Sequence, residues 1–82
     1  MDSHSRYRLH YERTVVQRLY TLGQAGEEVR QAIRDLESNP YPADARELSK
    51  AGYYEIFAFG LWIRYIVNDD DRTIRVILLE TE

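Results

Sequence analysis

The chain has 82 residues, of which 44% are hydrophobic and 30% charged, with four Gly and two Pro. This is a globular composition that excludes a collagen-like or disordered chain and leaves room for one modest core, so residues 1–82 are expected to form a single domain. With no Cys there is no disulfide framework, thiolate chemistry or Cys-ligated zinc. No apolar run approaches the ~18 residues of a membrane span, and the opening MDSHSRYRLH lacks the apolar stretch of a signal peptide. A soluble, cytoplasmic protein with no membrane partner is expected. The net charge is −3 and uneven: residues 1–34 carry six basic and four acidic groups, residues 35–82 five and ten. Affinity from phosphate neutralisation over the whole surface is therefore disfavoured, although a local positive patch is compatible with this balance.

Residues 5–12 alternate, with Tyr7, Leu9 and Tyr11 on one side and Arg6, Arg8 and His10 on the other, the period of a half-buried strand. Residues 13–22 place Val15, Val16, Leu19, Tyr20 and Leu22 at helical spacing, and Gly23 ends that helix with Gly26 just beyond. Glu27 and Glu28 suit the first turn of a second helix, whose apolar stripe is Val29, Ala32, Ile33 and Leu36 and which stops at Asn39-Pro40. Segment 45–50 reads as a short strand, and 53–59, 61–68 and 72–80 read as three further strands separated by Gly60 and by the turn residues Asn68 to Asp71. The expected fold class is α+β, with two N-terminal helices packed on one face of a mainly antiparallel sheet.

If the helices cover one face, alternation assigns Tyr7, Leu9, Tyr11, Tyr54, Ile56, Ala58, Leu61, Ile63, Tyr65, Val67, Ile74, Val76 and Leu78 to it. The open face then holds Arg6, Arg8, His10, Glu55, Phe57, Trp62, Arg64, Ile66, Thr73, Arg75 and Ile77. A one-residue bulge would flip part of this assignment. Arginines interleaved with Phe57 and Trp62 suit bases stacked on rings and phosphates held by guanidinium groups, and equally suit a protein interface. Arg6, Arg8, Phe57 and Trp62 are the candidate partner- or RNA-binding residues.

The local text Tyr7-Arg8-Leu9-His10-Tyr11, a helical hairpin ending Ile33-Arg34-Asp35-Leu36-Glu37-Ser38-Asn39-Pro40, Leu48 with Gly52, and the run Tyr54 to Asn68 together resemble the RelE/ParE superfamily of toxins from toxin–antitoxin modules over roughly residues 5–79. The resemblance implies a β-α-α-β-β-β(β) fold and a cognate antitoxin that wraps an extended segment and a helix over the toxin. It further implies action on translation, by mRNA cleavage at the ribosome, or on another essential target such as gyrase. The match is partial. Laid on the family pattern without a gap, three Arg positions fall on Glu55, Phe57 and Trp62, and the basic or Tyr tail that ribonuclease members carry is replaced by Leu79-Glu80-Thr81-Glu82.

His10, Glu55, Arg64 and Arg75 are the candidate catalytic set: an acid–base pair with two anion stabilisers, as RNA cleavage through a 2′-OH requires. The competing reading makes His10 a surface strand residue and pairs Glu55 with a neighbouring Arg. Tyr65 matches a family Tyr but points into the core by alternation. Asp69, Asp70 and Asp71 crowd one turn and cannot all face one ion, and His4 with His10 lacks further ligands, so no metal is expected. No Gly-rich phosphate loop or G-x-S-x-G occurs, and no cofactor is expected. Two functional classes follow: a toxin-type protein that binds an antitoxin, and a catalytically inert binding module on the same fold, self-associating as a homodimer through the Trp62 face.

Overall fold

The computed structural model describes residues 6–81. The expected strand start at Ser5, His4 of the excluded zinc pair and the terminal Glu82 lie outside them. In chain order the elements are β1 (Arg8–Tyr11), α1 (Arg13–Leu22), α2 (Gln24–Asp35), β2 (Arg46–Glu47), β3 (Tyr53–Ala58), β4 (Leu61–Asn68) and β5 (Thr73–Thr81). They form one five-stranded sheet in the order β1-β5-β4-β3-β2. β1 runs parallel to β5, and the other pairs are antiparallel. The fold is α+β, as expected. Among the described residues no helix is long and apolar enough to cross a membrane.

The core joins Val15 and Leu19 of α1, Val29 and Ile33 of α2 and Leu36 to Leu61, Ile63, Tyr65 and Val67 of β4 and Ile74, Val76 and Leu79 of β5. Tyr7, Leu9, Tyr11, Tyr54, Ile56 and Ala58 are packed against it. Both helices therefore sit on one sheet face, where their stripes leave water together with the alternate residues of the strands. Val16 and Tyr20, which share the helical spacing, are instead exposed.

A single residue, Gly23, separates the two helices; its φ of +61° with ψ of −126° is a backbone conformation that favours glycine, and it ends α1. α2 then starts earlier than its acidic residues indicate, so Gly26 lies inside it. A Cβ at Gly26 would stand 2.5 Å from the Leu19 carbonyl oxygen. Gly26 is the point at which the helices touch backbone to backbone.

Two other departures from the expected pattern have local causes. Phe59 and Gly60 both have positive φ and form a two-residue hairpin loop closed by Ala58 and Leu61, a geometry whose twist matches the flanking strands. Phe59 thus leaves β3 and is exposed at the tip. Along β5, Arg64 is opposite Leu78 but Tyr65 is opposite Val76, so Ile77 is the extra residue of a β-bulge. The bulge inverts the alternation beyond it. Leu79, not Leu78, enters the core, and Leu78 joins Arg64 on the open face. The strand expected over 45–50 is reduced to two residues.

The acidic turn after β4 acts as an anchor. Asp69 accepts hydrogen bonds from the Tyr7 hydroxyl and from the Tyr41 hydroxyl, the latter at 2.8 and 2.9 Å to its two oxygens. These bonds, Tyr7 first, and the nearby Arg72 guanidinium hold the Asp69 carboxyl below the usual Asp range. Asn68 and Asp71 close the turn between them, through the Asp71 N–H and the Asn68 amide. The buried Tyr65 hydroxyl donates to the Pro40 carbonyl at 2.8 Å, which confirms Tyr65 as a packing residue and ties the loop after α2 to the sheet.

Gly26→Ala is expected to destabilise the protein by about 1–3 kcal/mol, because the carbonyl it meets cannot move aside; denaturant titration measures this. Asp69 stabilises the fold above the normal Asp pKa, and that contribution is lost as pH falls through its depressed folded value. Asp69→Asn should therefore melt lower than the parent at neutral pH, with the two thermal curves converging in acid.

Candidate functional site

The open face of the sheet is organised in rows set by the strand register. One row runs Arg46, Glu55, Arg64 and Leu78 across β2, β3, β4 and β5. Beside it Phe57 faces Trp62, which in turn faces Glu80. On the other side the row is Tyr53, Ile66, Arg75 and His10.

Glu55 is the pivot of the first row. Only 6% of it is exposed, and among the described residues it is the one buried charged residue. Its carboxylate accepts from Arg46 at 2.9 Å and from Arg64 at 2.8 Å. The Arg64 bond is the main cause, with Arg46 adding to it against the opposing cost of burial, and the carboxyl is held below the usual Glu range. Arg46 also lies over the Trp62 ring, 5.7 Å from its centroid, and Trp62 packs on Phe57 at 4.9 Å. One guanidinium thus links the carboxylate to the aromatic pair. Arg46 was not legible as a site residue: a single Arg in a two-residue strand carries no periodicity.

The candidate catalytic residues are not gathered in one place. His10 lies on β1 at one edge of the sheet and Glu55 on β3, with β5 and β4 between them. Three strand spacings make a separation of about 14 Å, too far for an acid and a base to act on the same phosphodiester. Glu55 is moreover committed to two guanidinium groups and held ionised. The competing reading, Glu55 paired with neighbouring Arg, is the arrangement present. Arg64 is tied to Glu55, while Arg75 donates to Glu12 at 3.2 Å. His10 stands opposite Arg75.

Of the candidate binding residues, Phe57 and Trp62 form the aromatic pair and Arg8 lies on β1 beside Thr73. Arg6 precedes β1, with its guanidinium 3.9 Å from Glu37, and is no part of the rows of the open face. The effective charge of that face is lower than a count of its arginines indicates, because the inward carboxylate of Glu55 neutralises part of it. Among the described residues no group of three or more His, Asp or Glu is placed to hold a metal ion.

On the helix-covered side a groove of about 350 Å³ lies between α2, the loop after it and the edge of β3; Ala32, Leu36, Pro42, Ile56 and Ala58 give it apolar walls. β2 pairs only with Tyr54 and Glu55, so among the described residues no strand covers the outer side of Ile56–Ala58.

Replacing Glu55 by Gln leaves two arginines facing each other without a carboxylate. The partly exposed guanidiniums limit the loss to about 1–2 kcal/mol. Because the depressed pKa stabilises the fold above the normal Glu value and ceases to do so in acid, the parent should lose this margin as pH falls while Glu55→Gln does not. Urea denaturation from pH 7 to pH 3 tests both statements.

No family model and no curated protein sequence matches this chain. Solved structures do. RelE in the archaeal RelE–RelB complex from Pyrococcus horikoshii OT3 is 24% identical, with a TM-score of 0.82 over 92% of this chain and 93% of that one. A chain of the toxin–antitoxin complex RelBE2 from Mycobacterium tuberculosis is 17% identical, with a TM-score of 0.77 over 94% and 99%. The isolated E. coli RelE toxin is 18% identical, with a TM-score of 0.80 over 92% and 83%. The protein has the RelE-like fold, in keeping with the resemblance carried by its strand and hairpin motifs.

Proposed function

We propose that residues 1–82 are a divergent single-domain member of the RelE/ParE superfamily, the toxin-type component of a toxin–antitoxin module, and that its primary activity is binding a cognate antitoxin. The observation that carries this is the shared architecture over more than nine-tenths of the chain with a RelE found in complex with RelB. The surface suits such a partner. An extended segment can add to the uncovered edge at Ile56–Ala58, and an apolar side chain from it can enter the groove beside Leu36 and Pro42. Phe57 and Trp62 offer aromatic anchors on the adjoining face.

Action by binding an essential cytoplasmic target fits the residues better than mRNA cleavage at the ribosome. The positions where the family pattern has Arg hold Glu55, Phe57 and Trp62, and His10 stands three strands from Glu55. If RNA is engaged, Arg8 and Arg75 are the open-face cations that lie outside the Glu55 cluster. The neutralised Arg46-Glu55-Arg64 row favours a second reading, an inert module that associates with a second copy or another protein through the Phe57–Trp62 patch.

Induced expression in a bacterial host, with and without any small open reading frame that adjoins the gene, separates these readings. Growth arrest relieved by the neighbour is the expected result; high soluble yield with no effect on growth supports the inert module. Ribosomal A-site transcript ends that vanish in Arg64→Ala or Arg75→Ala would restore the nuclease. Trp62→Ala should weaken partner binding by about 2 kcal/mol, read by titration calorimetry.

A further inference from the structure

A polar pocket of about 260 Å³ lies where β1 passes into α1, lined by His10, Tyr11, Glu12, Arg13 and Arg75. It follows from the register. Parallel pairing sets His10 against Arg75, with their backbones about 4.8 Å apart. The chain then turns through Glu12, and Arg13 opens the helix. Two arginines and a histidine therefore line a space that also holds one carboxylate.

That carboxylate is weakly held. The Glu12–Arg75 contact is 3.2 Å, and the side chains are 42% and 60% exposed. An ion pair this open to water contributes little to the fold. Glu12 stands at the N-cap of α1, yet its side chain makes no capping bond there. Among the described residues only Arg75 bonds this carboxylate, so another oxyanion can replace it at little cost.

We propose that this pocket binds a phosphate group, with Arg75 and Arg13 holding its oxygens, His10 donating a further hydrogen bond and Glu12 serving as a displaceable internal anion. The planar guanidinium fork matches two phosphate oxygens at once. Donors on three side chains exceed the single bond that the Glu12 carboxylate accepts, and a phosphate has oxygens for all of them. Displacing Glu12 leaves two arginines facing the ligand. The site requires neither an antitoxin nor a cleavage reaction, and stands or falls apart from the proposed function.

Titration of the isotope-labelled full chain with sodium phosphate, at constant ionic strength set by sodium chloride, tests it by amide and His10 ring resonances. Saturable shifts confined to residues 10–13 and Arg75 are expected. Arg13→Gln and Arg75→Gln should each weaken binding about five-fold, and Glu12→Gln should tighten it about three-fold. The amide spectrum of each variant reports that the fold is retained. Shifts that fail to saturate, that spread over all the arginines, or an affinity unchanged in Glu12→Gln would overturn the assignment. A parallel titration with hexauridylate identifies the source: tighter binding than inorganic phosphate assigns the pocket to a nucleic-acid backbone, and equal or weaker binding to a free phosphate or small phosphoester.

Discussion

Burial of the helical pair against β4 and β5 is the interaction on which the rest of this structure depends. Ile63, Tyr65, Ile74 and Val76 have no exposed surface, and Val29 and Ile33 meet them from α2. Each such side chain contributes on the order of 2 kcal/mol by leaving water. The helices come close enough to do this because Gly26 lets α2 rest on the Leu19 carbonyl. Covering one face in this way leaves the other without a layer, and the candidate surfaces lie on that open face, along the sheet edges and in the groove beside α2.

The open face is neither a plain basic surface nor a plain apolar one. Its central carboxylate, Glu55, gathers Arg46 and Arg64, and Arg46 in turn covers Trp62. Charge that would attract a polyanion is spent inside the protein in the middle of the sheet. At the β1–β5 edge the balance differs: the exposed carboxylate of Glu12 pairs with Arg75, and Arg13 lines the same pocket. A single strand register thus separates an aromatic, neutralised centre from a cationic rim. Binding through rings and edges suits the first, and anion capture suits the second.

Strain and anchoring are also distributed unevenly. Phe59 occupies a positive φ at an exposed hairpin tip, a conformation that favours Gly or Asn, beside Phe57 and Trp62. At the opposite end of the hairpin Asp69 fastens Tyr7, just before the first strand, and Tyr41 of the loop after α2 to one turn. Of the three consecutive turn carboxylates, Asp69 accepts from two hydroxyls and Asp71 pairs with Asn68.

Much of this molecule was legible in one dimension. The bounds of α1 at 13–22 and of β4 at 61–68 coincide with those read from period alone, because each is a half-buried element whose pattern is written in consecutive residues. Which strands are neighbours was not legible: β1 pairs with β5 across more than sixty residues, and only the packing of the helical crossover decides it. The bulge at Ile77 turned Leu78 outward and Leu79 inward, since β4 and β5 must stay in register on both sides of it and alternation along β5 alone carries no trace of that demand. Arg46 found Glu55 and Arg75 found Glu12 for the same reason. Periodicity records which side a residue faces, while ion pairs between strands depend on register, which only the assembled sheet defines.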